Sequence, residues 1–131
     1  MNLDKMLYEF NKAAGNEKPG VPQIPNKKTI ALHRKLIKEE CIVELNKAFR
    51  ERNIVDIADA LADGVYVLFD TAWSCGIKLQ PILEEVHRSN MTKCVNGKMR
   101  RRQDGKILKP KGYEKPNIAD EIMKQAKRGR I

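Results

Sequence analysis

Five carboxylates are spaced so that two helices would aim them at one region. Glu40 and Glu44 lie four residues apart in EECIVEL, and Asp56, Asp59 and Asp63 recur in VDIADALADGVYVLFDTA. At about 100° per residue, Glu40 and Glu44 fall within about 40° of each other on a helix, and the three aspartates share a stripe about 60° wide. The second segment is otherwise apolar almost all round from Ile57 to Ala72, the pattern of a helix expected to be buried. Buried carboxylates that nearby bases cannot all pair hold a metal or do proton chemistry. Mg²⁺, with Mn²⁺ as a substitute, is the cation expected for such oxygen donors. Carboxylates on facing helices of a bundle supply them from a rigid scaffold. Beside a nucleoside triphosphate the metal would bridge phosphate oxygens, and a further carboxylate would orient or deprotonate the attacking water.

Each acid has a simpler role to weigh against this. Glu39 lies about 100° from Glu40 and can pair with Lys35 on a solvated face. Glu40 and Glu44 fall among Leu36, Ile37, Cys41 and Ala48, which favours a functional role. Asp56 stands in a first helical turn, where the helix dipole alone favours a carboxylate. Asp59 and Asp63 are interior to their helix, where Asp has poor propensity and no capping job. Asp70 continues the stripe two turns on, either as part of the site or at the bundle end.

The elements that must position these residues follow from the same spacing. Leu3 to Ala14 reads as a short helix, and the Pro- and Gly-rich GNEKPGVPQIPNKK as an extended linker. Asn26 or Thr29 caps a second helix running from about Thr29 to Glu51. A third spans Ile54 to Ser74 and stops at Gly76, and a fourth starts around Pro81 and ends near Lys93. Beyond Cys94, the turn dipeptides Asn96-Gly97 and Asp104-Gly105 predict an irregular, hairpin-like lobe, and NIADEIMKQAKRG a closing short helix. The expected fold is all-α: a four-helix-bundle-type core completed by oligomerisation, with an irregular basic C-terminal extension. One domain is expected over residues 1–131, its core about 1–94 and its basic tail about 95–131.

The 131 residues carry a net charge of +9, concentrated after position 90 from Lys93 through Arg100, Arg101 and Arg102 to Arg130. A basic end implies an anionic partner, a phosphate-bearing small molecule or nucleic acid, or else a solubilising tail. Three dispersed cysteines argue for reduced thiols and a cytoplasmic setting. The opening MNLDKMLYEFNKAAG lacks the pattern of a signal peptide, and no apolar run reaches membrane-spanning length, so no membrane partner is expected. His33 and His87 have no partner at metal spacing, and Tyr66, Phe69 and Trp73 read as core or subunit contacts.

These motifs together resemble the MazG-like, all-α nucleoside triphosphate pyrophosphohydrolases, which group with phosphoribosyl-ATP pyrophosphohydrolases. The likeness is greatest to the short versions of bacteria and phages. FNKAAGNEKPGVPQIPN resembles the family's opening helix and proline loop, LHRKLIKEECIVEL its first metal-binding helix, and IADALADGVYVLFDTA its second. CGIKLQPILEEVHRSNMTK resembles the third bundle helix with its SN-x-S/T-K ending, and RRQDGKILKPKGYEKPNI the tail pattern DGK…K…Y…P. The family pattern is E-x-x-E on one helix and E-x-x-D on the next. Here the first pair, Glu40 and Glu44, is one residue wider, and Ala60 stands where the second motif has Glu.

The resemblance implies Mg²⁺-dependent attack of water on the α-phosphorus of a (d)NTP, giving a monophosphate and pyrophosphate. It implies Glu40, Glu44 and Asp63 as principal metal ligands, with Asp59 as a further one. Glu39 and Glu40 would be the catalytic carboxylates. Asn90 and Lys93 would contact the nucleotide, and Lys106, Lys109 and Tyr113 would close over it from the tail. A homodimer or homotetramer is also implied. The alternatives are a phosphoribosyl-ATP pyrophosphohydrolase or a non-enzymatic nucleic-acid-binding module using Arg100–Arg102. The last leaves the acidic helix pair unexplained, so nucleic acid is not the expected partner.

Overall fold

A computed structural model describes residues 1–129; Arg130, counted above in the basic tail, lies outside the described residues. Helices α1 (Leu3–Ala13), α2 (Lys27–Leu36), α3 (Glu44–Glu51), α4 (Ile54–Ser74), α5 (Leu79–Met91) and α6 (Ile118–Gly129) follow in order. Between α2 and α3 the chain makes a π-helical segment, Ile37–Val43, without leaving helical backbone angles, so the three form one continuous rod. Asparagines start three of the helices. Asn2, Asn26 and Asn53 each accept a first-turn backbone N–H through the side-chain oxygen. The fold is all-α, and the described residues contain only two isolated β-bridges, Val95 with Lys98 and Arg101 with Ile107.

The rod and α1 pack on α4, and the buried core gathers Leu7 of α1 with Phe69 and Trp73 of α4. Asp4 of α1 closes the start of α5: its two carboxylate oxygens accept the N–H groups of Leu79 and Gln80, each at 2.9 Å. At the end of α4, Gly76 adopts φ +70° beneath the proline loop, where a Cβ would collide with the carbonyl oxygen of Val21. No helix of the described residues is long and apolar enough to cross a membrane.

The expectation that α4 is buried all round is corrected. Ala60, Gly64, Phe69, Ala72 and Trp73 are buried, but Leu61, Val65 and Leu68 stay about half exposed. One chain supplies neighbours to only one side of this helix. An apolar composition implies burial but does not say whose surface covers the other side.

Candidate metal and nucleotide site

The rod and α4 cross at Cys41 and Gly64. A Cβ added to Gly64 would rest in ordinary contact with Cys41, 3.4 Å from its Sγ. Around this crossing Glu40 and Glu44 from the rod meet Asp63 from α4. One carboxylate oxygen from each lies within 4.8 Å of the other two. None of the three is buried, in contrast to the expected buried acids.

Like charges at this range oppose ionisation. The Glu40 carboxyl is accordingly pushed above its ordinary value, first by partial desolvation, then by the negative charge of Glu44 and a hydrogen bond shared with it. Asp63 and Glu39 add to the rise. No ion pair among the described residues brings a base to the cluster. A set of hard oxygen donors with no cation of its own fits Mg²⁺, which takes carboxylate oxygen and keeps several waters.

The other acids stand apart. Glu39 is exposed and pairs loosely with Lys35 at 4.0 Å, one helical turn back. Asp59 faces a shallow cleft of about 210 Å³ that it shares with Asp56, Glu51 and Glu44. Ala60, buried against the rod, forms the floor of that cleft. The small residue at the family's Glu position thus leaves a recess, and Asp59 borders it from one residue away. Asp70 does not join the cluster: its Oδ1 accepts from Asn11 Nδ2 at 2.7 Å.

The tail builds a second, basic cluster. Ser89, buried on α5, donates to the Glu114 carbonyl at 2.7 Å, and Thr92 Oγ1 accepts from Glu114 N at 2.9 Å. This anchors Tyr113 beside α5, with the Lys93 and Lys109 ammonium groups 5.8 and 5.1 Å from its ring centre. The Tyr113 hydroxyl is held below its usual range by the nearby Ser89 hydroxyl and by Lys109, Lys93 and Lys115. Lys93 and Lys109 also line an apolar-floored groove of about 870 Å³ with Lys98, Arg100 and Lys111. Lys106 is not among its walls; it belongs to the Asp104-Gly105 turn, where its N–H donates to Asp104. Asn90 is exposed at the end of α5. No hydrogen bond or ion pair joins this lobe to the acidic cluster among the described residues.

A third feature escaped the sequence reading. His33 is buried, and its Nδ1 lies 2.9 Å from Thr71 Oγ1. With Asp70, Asn11 and Trp73 it lines a cleft of about 740 Å³ beneath the proline loop. The one regular spacing that ties it to the acids is on α4, where Asp70 follows Asp63 by seven residues and keeps to the same face.

No curated protein matches this chain. The family model described as phosphoribosyl-ATP pyrophosphohydrolase matches residues 7–90, which include the whole acidic cluster. With that match over well more than half its length, the chain belongs to the phosphoribosyl-ATP pyrophosphohydrolase family, among the MazG-like pyrophosphohydrolases that its motifs resemble.

Proposed function

We propose that this protein is a Mg²⁺-dependent nucleoside triphosphate pyrophosphohydrolase that converts a (d)NTP to the monophosphate and pyrophosphate. The convergence of Glu40, Glu44 and Asp63 carries the reading. Mg²⁺, when bound, would supply positive charge against the phosphate oxygens. Glu40, Glu44 and Asp63 would hold it, with Asp59 as a further ligand from the neighbouring recess. Glu39, whose pairing with Lys35 is loose, accepts a proton from the attacking water. The water oxygen bonds to the α-phosphorus, the bond from that phosphorus to the bridging oxygen breaks, and pyrophosphate leaves.

Lys93 and Lys109 supply point charge to phosphate, and Asn90 and Lys106 are further contacts to the nucleotide. Their ammonium groups already lie against the Tyr113 ring, so Tyr113 acts chiefly as the platform that holds them. A second copy of the chain covers the bare side of α4, since Leu61, Val65 and Leu68 form an apolar strip beside the site.

Pyrophosphate and monophosphate release from a panel of (d)NTPs, with and without Mg²⁺, tests the reading. Phosphoribosyl-ATP belongs in the panel because the family model carries its name and the bond cleaved is the same. Metal-dependent release from one or more (d)NTPs is expected. Release from phosphoribosyl-ATP alone would replace the substrate, and silence from folded protein would overturn the activity.

A further inference from the structure

The cleft at His33 and Asp70 sits at the right remove from the acidic cluster to hold the base of a nucleotide. Seven residues separate His33 from Glu40 on the rod and Asp63 from Asp70 on α4. At about 1.5 Å per residue the α4 step is roughly 10 Å along the bundle, comparable to the reach from an α-phosphate to the far edge of its base, and the rod step, partly π-helical, is somewhat shorter. The cleft's walls are built and polar. Asn11, almost wholly buried, donates to the Leu7 carbonyl at 2.9 Å and to Asp70 Oδ1 at 2.7 Å, and it accepts from Asn16 at 2.8 Å. Those partners use both amide N–H groups and fix Asp70 in place. Trp73, another lining residue, carries in its indole N–H the one buried side-chain polar atom without a partner among the described residues.

Hydrogen-bond accounting says what the cleft asks of a ligand. The Thr71 hydroxyl spends its only proton on the Val67 carbonyl, at 2.9 Å. Toward His33 it therefore acts as acceptor, so His33 Nδ1 carries the proton. In that tautomer His33 presents Nε2 as a lone-pair acceptor. Asp70 has a second oxygen, Oδ2, that takes no hydrogen bond, and no ion pair uses its charge among the described residues. Neither atom is sealed and unsatisfied in the interior. The lining thus holds two acceptors, one of them charged, and the partnerless Trp73 N–H, which together call for a ligand edge with both N–H donors and an acceptor. Bases with an exocyclic amine supply that edge. Uracil and thymine offer one N–H between two carbonyl oxygens, and those oxygens would face the carboxylate.

We infer that this cleft is the base pocket of the enzyme, and that His33 and Asp70 select nucleotides whose base carries an exocyclic amine over uracil and thymine nucleotides. The inference rests on the proposed pyrophosphohydrolase reading for the identity of the ligand, but it is read by binding rather than turnover. The test is equilibrium titration of the full chain with dCMP, dAMP, dGMP, dUMP and dTMP in the presence of Mg²⁺. An amine-bearing base should bind at least about tenfold more tightly than dUMP, one charge-assisted hydrogen bond's worth.

Asp70→Asn keeps an oxygen for Asn11 and turns the other position into a donor, so it should erase or reverse the preference. His33→Phe retains the ring volume and should reduce the preference if Asp70→Asn fails to fold. Equal affinities, a preference for dUMP, no binding at all, or a preference that survives both substitutions would overturn the inference. Selective binding without pyrophosphate release would sustain this pocket and sink the hydrolase reading. Release from every base alike would do the reverse.

Discussion

Cys41 Sγ lies 3.5 Å from the carbonyl oxygen of Gly64, and this contact shows a register mismatch between the two helices that carry the acids. His33 meets Thr71 one step further along the same interface. From Gly64 to Thr71 the spacing on α4 is seven residues; from His33 to Cys41 on the rod it is eight. The π-helical segment Ile37–Val43 absorbs the extra residue, and Glu44 N bonds Glu39 O, five residues back. Because that turn is one residue wider, a spacing of four between Glu40 and Glu44 does the angular work of three in an α-helix.

Deleting Ile42 should therefore leave an α-helical rod with the two glutamates three apart and Mg²⁺ binding close to wild type. Deleting Lys38 should relieve the same mismatch yet keep the four-residue spacing in α geometry. That rotates Glu44 away from Asp63 and should weaken Mg²⁺ by about tenfold or more. Calorimetric titration of both deletions checks this, and equal affinities would show that the π turn does not set the aim of the acids.

Much of this arrangement was legible in the chain. Gly76 marks the end of α4 as a left-handed stop, and the i, i+4 spacing of Glu40 and Glu44 marks them as neighbours. The π turn was not legible, because a four-residue spacing is equally at home on a regular α-helix. Nor was the cleft at His33: the histidine meets Thr71, 38 residues away in sequence, only through the register of two helices. Exposure of Val65 and Leu68 was misread because an apolar side chain looks the same whether its own chain or another covers it.

Asp63→Asn separates the acid cluster's two effects. Removing one charge should abolish metal binding and lower turnover by at least about 100-fold. The same change relieves repulsion on Glu40 and Glu44, so the metal-free protein should melt at a higher temperature than wild type. Thermal melts in chelator and in Mg²⁺ should then cross over: wild type gains stability with the ion and the variant does not. A variant less stable than wild type in chelator would mean that Asp63 has a structural partner.

The apolar strip on α4 predicts self-association. Val65 and Leu68 are each 45% exposed on helix α4, one turn apart. Sedimentation should show a dimer or larger species, and Val65→Lys with Leu68→Lys should give monomers that keep their helical circular dichroism. A monomeric wild-type protein with full activity would remove the second copy from the site.

Glu85 ties the tail to α5 and makes its docking acid-sensitive. Its carboxylate accepts from Arg88 and from the backbone N–H of Asn117, at 3.1 Å, just before α6 begins. Bonding to Arg88, then to Asn117, lowers its pKa from 4.5 to about 2. A carboxyl depressed in the folded state adds stability that is fully present above its ordinary value and lost as pH falls through the depressed one. Docking of the lobe around Tyr113 should therefore hold at neutral pH and loosen as pH falls from 4.5 toward about 2. The Asn117 amide proton, followed by NMR, should shift with a midpoint near that lower value. In Glu85→Gln the titration should vanish, and Tyr113 should be more readily iodinated at neutral pH. An unchanged Asn117 titration in that variant would show that another group governs the tail.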